Sequence, residues 1–420
     1  MRLFHRLCAL AALSLLAGAP IGGRAGAEDA PNVITIGDLH ASTGPFASIS
    51  MPVYYGIRFW VDQTNADGGA FVKAYNKKIP LKLISYDDQS DPATAATEIN
   101  RLITQDKVNM LVSDSGSALT AVAVPIAREH ETFLFDPTGT GLPLFAPGNP
   151  YIALIASPIS TVWPRYAIDF LNTLGAAAGI KTVAILYAAN DFTGTQAYAF
   201  KKFLTEAHKV KIVYDRNVPT NTTNYTVLIS NIAAKNPDAV IELGYPGNDI
   251  AFLRNLRESG QKFRFVFAIS AGTEPEELLK NVGIDGLRGV FTYVTPAQCT
   301  YEVTAGLDLA AYRRAWQKTY AHTPDAAFGL NAIAGYAVGV VLQETLANAA
   351  SLDQAALHNA VFGLSGRLTT LAGPFRLDDR GAQIGEVAPL GEVEPEGKEG
   401  MKVVVVYPAN LTTGKAMLGQ

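Results

Sequence analysis

Between residues 81 and 136, apolar runs rich in β-branched residues alternate with helical stretches: LKLISYDDQSD, PATAATEINRLITQD, NMLVS, ALTAVAVPIAREH, TFLFD. The same order returns between 211 and 270 as KIVYD, NYTVLISNIAAKN, DAVIELG, NDIAFLRNLRESG and FRFVFAI. Adjacent parallel strands cannot be joined by a tight hairpin and need a crossover of a dozen or more residues, usually a helix. Each copy therefore predicts a parallel, doubly wound α/β sheet. Two copies also suit the length, because single cores stop growing at roughly 250 to 300 residues and this chain has 420. Two lobes are expected.

Further elements extend both copies. VITIGDL (33 to 39) and TVAILYA (182 to 188) read as buried parallel strands, and GTQAYAFKKFLTEAH as the helix after the second. MPVYYGIRFWVDQTNADGG reads as a helix stopped by Gly68 and Gly69, which can take the left-handed conformation. Asp91 and Pro92 supply a cap and a first helical residue for the stretch that follows them. AFGLNAIAGYAVGVVLQETLANAA, about 327 to 350, reads as a buried helix packed closely on its neighbours. The last segment, GPFRLDDRGAQ and EVEPEGKEGMKVVVVYP, predicts a strand, a turn, an exposed acidic loop and a final strand.

The first 27 residues carry Arg2 and Arg6, an apolar run from Leu7 to Ala17, and the small-residue pattern Ala25, Gly26, Ala27. This is the pattern of a secretory signal peptide cleaved after about Ala27. The run is too short to span a bilayer, which takes about 20 residues, so an exported, soluble mature chain is expected. Cys8 opens the apolar run rather than following it, so no lipid anchor is expected. Cys299 is then the one mature cysteine, which excludes an internal disulfide. With 17% charged residues and a net charge of -4, no broad basic field exists to hold phosphate backbones, and nucleic acid is not an expected partner.

Catalytic and cofactor motifs fail one by one. A nucleophile elbow needs glycine two positions either side of its serine, and Ser115 has Ser113 and Ser117 there. Ser113 and Ser117 lack the glycines as well. His40, His130, His208, His322 and His358 show no repeated spacing, and HETFL at 130 lacks the second histidine of a zinc helix. GTGLPLF from Gly139 has Leu144 where a dinucleotide loop needs its third glycine, and there is no phosphate-binding Gly-x4-Gly-Lys-Ser/Thr. No metal, no cofactor and no enzymatic activity are expected.

What remains is a set of polar loops at the C-termini of strands, where open α/β sheets bind ligands. The first lobe offers HASTGPFAS with Phe46, SDSGSA and DPTGTG; the second offers AANDFTGT, YPGND and SAGTEPE. Ser117 stands at a helix start, where free N–H groups and the helix dipole favour an anion. As an ordinary cap it would need no second hydroxyl loop one strand away, yet Thr138 and Thr140 provide one. The pair of loops points to a carboxylate cradle. Phe192 and Tyr245 in the opposing loops serve either as apolar cover and a hydroxyl or as core packing, and Trp163 either closes the cleft or is structural.

ITIGDL, STGPFA, YDDQSDPATAATEINRLI, SALTAVAVPIA, DPTGTG, NDFTGTQAYAF, NPDAVIELGY, LRNLRESG and GPFRLDDRG follow one another in an order that resembles the leucine/isoleucine/valine-binding protein family, the periplasmic receptors of ABC importers. The resemblance covers about 31 to 410. It implies a type I periplasmic binding protein fold, α/β, with two doubly wound parallel-sheet lobes joined by three crossovers. The first lobe would comprise 31 to 157 plus 297 to 370, and the second 158 to 296 plus 371 to 420. By the same resemblance Ser117 and Thr140 grip a ligand carboxylate, with Thr138 as a further donor. Phe192 and Tyr245 cover the ligand from the second lobe, and Phe328 or Asn331 lies before the long helix. Family members that bind amino acids commonly place an acid after the FVFAI strand for the ligand ammonium, whereas this chain has Ser270, Ala271 and Gly272 there. Glu274 and Asp249 are a few residues out of register. An unpaired ammonium in a closed cleft would cost several kcal/mol, so an aromatic or aliphatic carboxylate, or an amide, stands beside a branched-chain amino acid as the expected ligand.

These readings combine into a non-enzymatic periplasmic solute receptor, a monomer, that hands a small ligand to the membrane subunits of an ABC permease. A sensory protein presenting the ligand to a signalling receptor is the alternative, and a secreted hydrolase using Ser115 or Ser117 is a third reading.

Overall fold

The computed structural model describes residues 30 to 299 and 301 to 418; the signal-peptide reading lies outside them. The strands of the first sheet are β1 (Ile34–His40), β2 (Leu81–Asp87), β3 (Met110–Val112), β4 (Leu134–Asp136) and β5 (Ile152–Leu154), ordered β2-β1-β3-β4-β5 and all parallel. The second sheet contains β6 (Thr182–Ala188), β7 (Lys211–Val218), β8 (Ala239–Leu243), β9 (Phe265–Ala268) and β10 (Val290–Tyr293) in the order β7-β6-β8-β9-β10. The two orders are the same, so the repeated strand and helix pattern is repeated topology.

The second sheet goes further than expected. β11 (Leu390–Glu396) pairs antiparallel with β10, and β12 (Gly400–Tyr407) antiparallel with β11, so this sheet is mixed rather than wholly parallel. The acidic stretch expected as an exposed loop is β11 itself. Its Leu390, Gly391, Glu392 and Val393 are buried, and exposure is confined to Glu396 and the turn at 397 to 399 that follows. Both faces of the first half of β11 are buried, Glu392 as fully as Val393, and the charge of EVEPE obscured the strand.

The connecting helices behave as their sequences direct. α1 (Ala47–Ala66) starts a turn earlier than read, with Pro52 inside it, and stops before Gly68 and Gly69 at φ +88° and +98°. α2 (Pro92–Thr104) is capped by Asp91, whose carboxylate accepts from the Thr94 N–H at 2.8 Å. α3 (Ser117–Glu129) follows β3, α4 (Asp191–Ala207) follows β6, α5 (Thr226–Ala233) follows β7, and α6 (Pro246–Ser259) follows β8. α7 (Ser270–Thr273) is a single turn after β9.

The long apolar helix, α8 (Leu330–Asn348), is apolar and long enough to cross a membrane, but it is buried over most of its length. Small residues let it approach α1 closely. A Cβ on Gly335 would lie 2.1 Å from the Val53 carbonyl oxygen, and one on Gly56 2.6 Å from that of Ala332. Both obstacles are backbone and cannot swing aside. Gly335→Ala is therefore expected to lower stability by about 1 to 3 kcal/mol through overpacking, read as a fall in denaturation midpoint with an unchanged far-UV spectrum.

Candidate functional site

The loops at the C-terminal ends of both sheets meet around a cavity of about 60 Å³. A site of roughly 10 to 15 Å³ in this measure holds one water, so the space suits a few waters or a compact solute. From the first sheet come Gly116, which leads into α3, and Thr138 and Thr140 after β4. From the second come Phe192 at the start of α4, Gly244, Tyr245 and Pro246 at the start of α6, and Ile269, Ser270, Thr273 and Glu274 around α7. Ile49, Ser157, Trp163, Leu330 and Asn331 complete the wall. Both sheets present the gaps beside β1 and β6, where strand order reverses, to this space, as open α/β sheets do.

Seven of the residues singled out in the sequence share this wall: Thr138, Thr140, Trp163, Phe192, Tyr245, Ser270 and Asn331. Three do not. Phe46 packs edge-on behind Tyr245, with ring centroids 5.3 Å apart, and Ala271 is fully buried beneath the wall. Ser117 is also fully buried, and its hydroxyl accepts from the Gly141 N–H at 2.9 Å. The serine thus ties the α3 start to the DPTGTG loop, while the wall position falls to Gly116 at φ +84°. Ser117→Ala is expected to strand the Gly141 N–H and cost about 1 to 3 kcal/mol of stability, seen as a lowered melting temperature without ligand.

The two threonines keep donors in reserve. Thr138 Oγ1 accepts from the Gly116 N–H at 3.0 Å, which leaves its own O–H free to donate. Thr140 Oγ1 and Ser160 Oγ lie 2.7 Å apart, so one hydroxyl donates to the other and one proton remains. Behind them, burial pushes Asp136 up to about 7, against the Gly139 N–H and the Thr120 hydroxyl, which favour its charged form. These groups fix the loop that carries both threonines.

Aromatic rings form the opposite side. Phe192 stacks on Tyr245 with centroids 5.6 Å apart, and Trp163 meets Phe192 edge-on at 5.8 Å. The Trp163 ring N–H donates to the Pro158 carbonyl, which fixes the indole over the cavity. The Tyr245 hydroxyl is buried without a hydrogen-bond partner. Burial raises its pKa, while the nearby Ala118 N–H opposes the rise without aligning for a bond.

Glu274 is the residue that register arguments set aside. Among the described residues it is the one carboxylate on the wall, and no lysine, arginine or histidine lines the cavity. The α7 turn brings it there, because a helix advances about 1.5 Å per residue where a strand advances about 3.3 Å. Four residues of helical turn therefore hold Glu274 near the end of β9. Pro275 immediately after it begins the next helix, and that proline was the available signal in SAGTEPE. Asn331 donates its side-chain N–H to Glu274 Oε1. Burial pushes the Glu274 pKa well up, with Glu277 and Glu276 adding to the rise and Asn331 opposing it. Ile49, Ser157, Ile269, Thr273 and Leu330 also went unread, since nothing local separates them from core or loop residues.

A two-sheet α/β receptor with a hydroxyl-lined wall facing an aromatic and acidic one belongs with solute-binding folds. The chain is a member of the periplasmic binding protein family, whose profile matches residues 33 to 398. A Brucella abortus protein named Leu/Ile/Val-binding protein homolog 7 is 24% identical over 92% of this chain and 94% of its own length. A leucine-binding protein from Thermotoga maritima superposes with a TM-score of 0.74 at 18% identity, over 90% of this chain and 100% of that one. A solute-binding protein of an R. palustris ABC transporter, solved with benzoate, gives 0.71 at 17% identity, over 92% and 97%.

Proposed function

We propose that this chain is the exported, periplasmic solute-binding component of an ABC importer, and that its ligand is a small aliphatic amino acid. The observation that carries the reading is Glu274, an acid in a cavity with no basic residue among the described ones and with free hydroxyl donors. An ammonium would pair with Glu274, and a carboxylate would take the spare protons of Thr138 and of the Thr140–Ser160 pair. Tyr245 would donate its unpartnered hydroxyl, and Phe192 and Trp163 would cover the apolar end. The lobes would be 31 to 157 plus 297 to 370 and 158 to 296 plus 371 to 420, moving about the three connections between the sheets and delivering the ligand to membrane permease subunits. No catalytic role is assigned to any residue. Fully buried Ser115 and Ser117 offer a hydrolase no accessible nucleophile.

A second reading is an aromatic carboxylate. Its support is the raised pKa of Glu274, which when protonated would donate to an acid instead of repelling it, within aromatic walls. Thermal-shift screening separates the two, because a ligand that binds only the folded chain raises its melting temperature. Leucine, isoleucine and valine are expected to raise it by several degrees at millimolar concentration, with benzoate and simple amides giving less. The reverse ranking would replace the amino-acid reading with the aromatic one.

A further inference from the structure

Beneath the cavity floor lies a pair of acids that ligand binding as proposed does not use. Glu242 on β8 and Asp249 on α6 are both fully buried. Their carboxyl oxygens, Glu242 Oε1 and Asp249 Oδ1, converge on one point beside Gly244. Neither Glu242 oxygen nor Asp249 Oδ1 has a hydrogen-bond partner, and the Tyr225 hydroxyl is also buried and unpartnered. No cationic group acts on either acid; each is acted on by the other, with Tyr225 the further titratable group against them and Ser270 a donor. Two carboxylates without a proton between them would repel in a medium of low dielectric, whereas one shared proton turns the contact into a hydrogen bond.

The pair touches the cavity from two directions. Asp249 Oδ2 accepts from the Ser270 N–H at 2.6 Å, and Ser270 opens the α7 turn that ends at Glu274. The Glu274 N–H in turn donates to the Ser270 carbonyl at 2.9 Å. On the other side, a Cβ on Gly244 would fall 2.8 Å from Glu242 Oε1 and 2.9 Å from Asp249 Oδ1, so wall residue Gly244 lies directly over the pair.

We propose that Glu242 and Asp249 share one proton, and that this proton makes them positioning residues for the turn that holds Glu274 in the cavity. Loss of the proton to solvent leaves two adjacent negative charges, drives Asp249 off the Ser270 N–H and loosens the turn. The consequence for the ligand rests on the role proposed for Glu274; the shared proton and its hold on Ser270 do not.

The test therefore uses the ligand-free mature chain. In amide NMR spectra, the Ser270 resonance is expected to shift in one step as pH rises through the neutral to alkaline range. Glu242→Gln, which donates permanently to Asp249, should abolish that step. Asp249→Asn keeps an acceptor for Ser270 but has no acid to share, and should abolish it too if the first variant fails to fold. Infrared difference spectra at pH 7, wild type minus variant, should show one protonated carboxyl lost in each variant over the bands of the other buried acids. A Ser270 resonance flat with pH in the wild type, or unchanged titration in either variant, overturns the proposal. So does a Ser270 response to added sodium or calcium in place of pH, which would put a cation between the acids.

Discussion

Glu274→Gln is expected to weaken the binding of a branched-chain amino acid by about 2 to 4 kcal/mol, roughly thirty- to several-hundredfold, when measured by titration calorimetry. The substitution keeps the shape of the side chain and a partner for Asn331, which donates to Oε1. What it removes is the one acid on the wall that could ionise against an ammonium, where no lysine, arginine or histidine stands among the described lining residues. A ligand ammonium taken from water into that cavity would then lack a counter-charge, and most of the loss is the cost of leaving it so. A ligand with no ammonium should bind the variant as well as the wild type, or better, since a permanent amide donor replaces an acid that must be protonated to help. Equal leucine affinity in both proteins would remove Glu274 from the amino-acid reading.

The protein is also expected to be most stable in mild acid and to lose several kcal/mol between about pH 5 and pH 8. Burial pushes Asp38 up to about 8, and Asp136 and Glu386 each up to about 7. Asp114, Glu242 and Glu274 are raised by the same cause. None of these acids belongs to any of the five ion pairs among the described residues. An acid with a higher pKa folded than unfolded holds its proton more tightly in the native chain. Its contribution is complete below the unfolded value, near 4, and is lost as pH rises through the folded one, at about 1.4 kcal/mol per pH unit for each proton.

Opposing groups bound the effect from below. Backbone and side-chain donors hold Asp87, Asp91 and Asp238 below the ordinary range despite the burial of the first and last, so their contribution is lost as pH falls beneath about 4. Burial lowers the pKa of His40, which costs stability as pH drops below about 6.5, but for one proton against several. Denaturation midpoints measured from pH 3 to 9 should thus peak near pH 4 to 5, with a fall on the order of 5 to 10 °C by pH 8. A midpoint that climbs steadily from pH 5 to 8 would mean that the buried acids are ionised and compensated.

Local pattern made much of this legible. The cap at Asp91, the stop at Gly68 and Gly69, and the apolar run of α8 are short-range signals, and each appears where its residues put it. The loops were legible as a group because strand ends are where such sheets bind, and seven named residues share one wall. Individual roles were less so. Ser117 has the chemistry of an anion donor, but its side chain is fully buried behind the cavity wall, where its oxygen accepts from the Gly141 N–H of a loop 24 residues away. Phe46 has an aromatic ring in the right loop, and Tyr245 from the other sheet stands in front of it. In both cases the competing partner is remote in sequence.

The sequence by itself determined the architecture and which loops line the cavity. Crossover helices force parallel strands, a repeated alternation forces two such sheets, and both sets of strand ends carry polar loops. Tertiary structure alone decided which side chains line the cavity and in what state. One helical turn at Ser270 to Thr273 carries Glu274 into the cavity from a place where linear register would exclude it. Charge is likewise a property of the assembled interior: burial without cationic partners keeps protons on acids that the sequence reads as ionised. Periodicity acts between neighbours in the chain, whereas desolvation and hydrogen-bond competition act between neighbours in space.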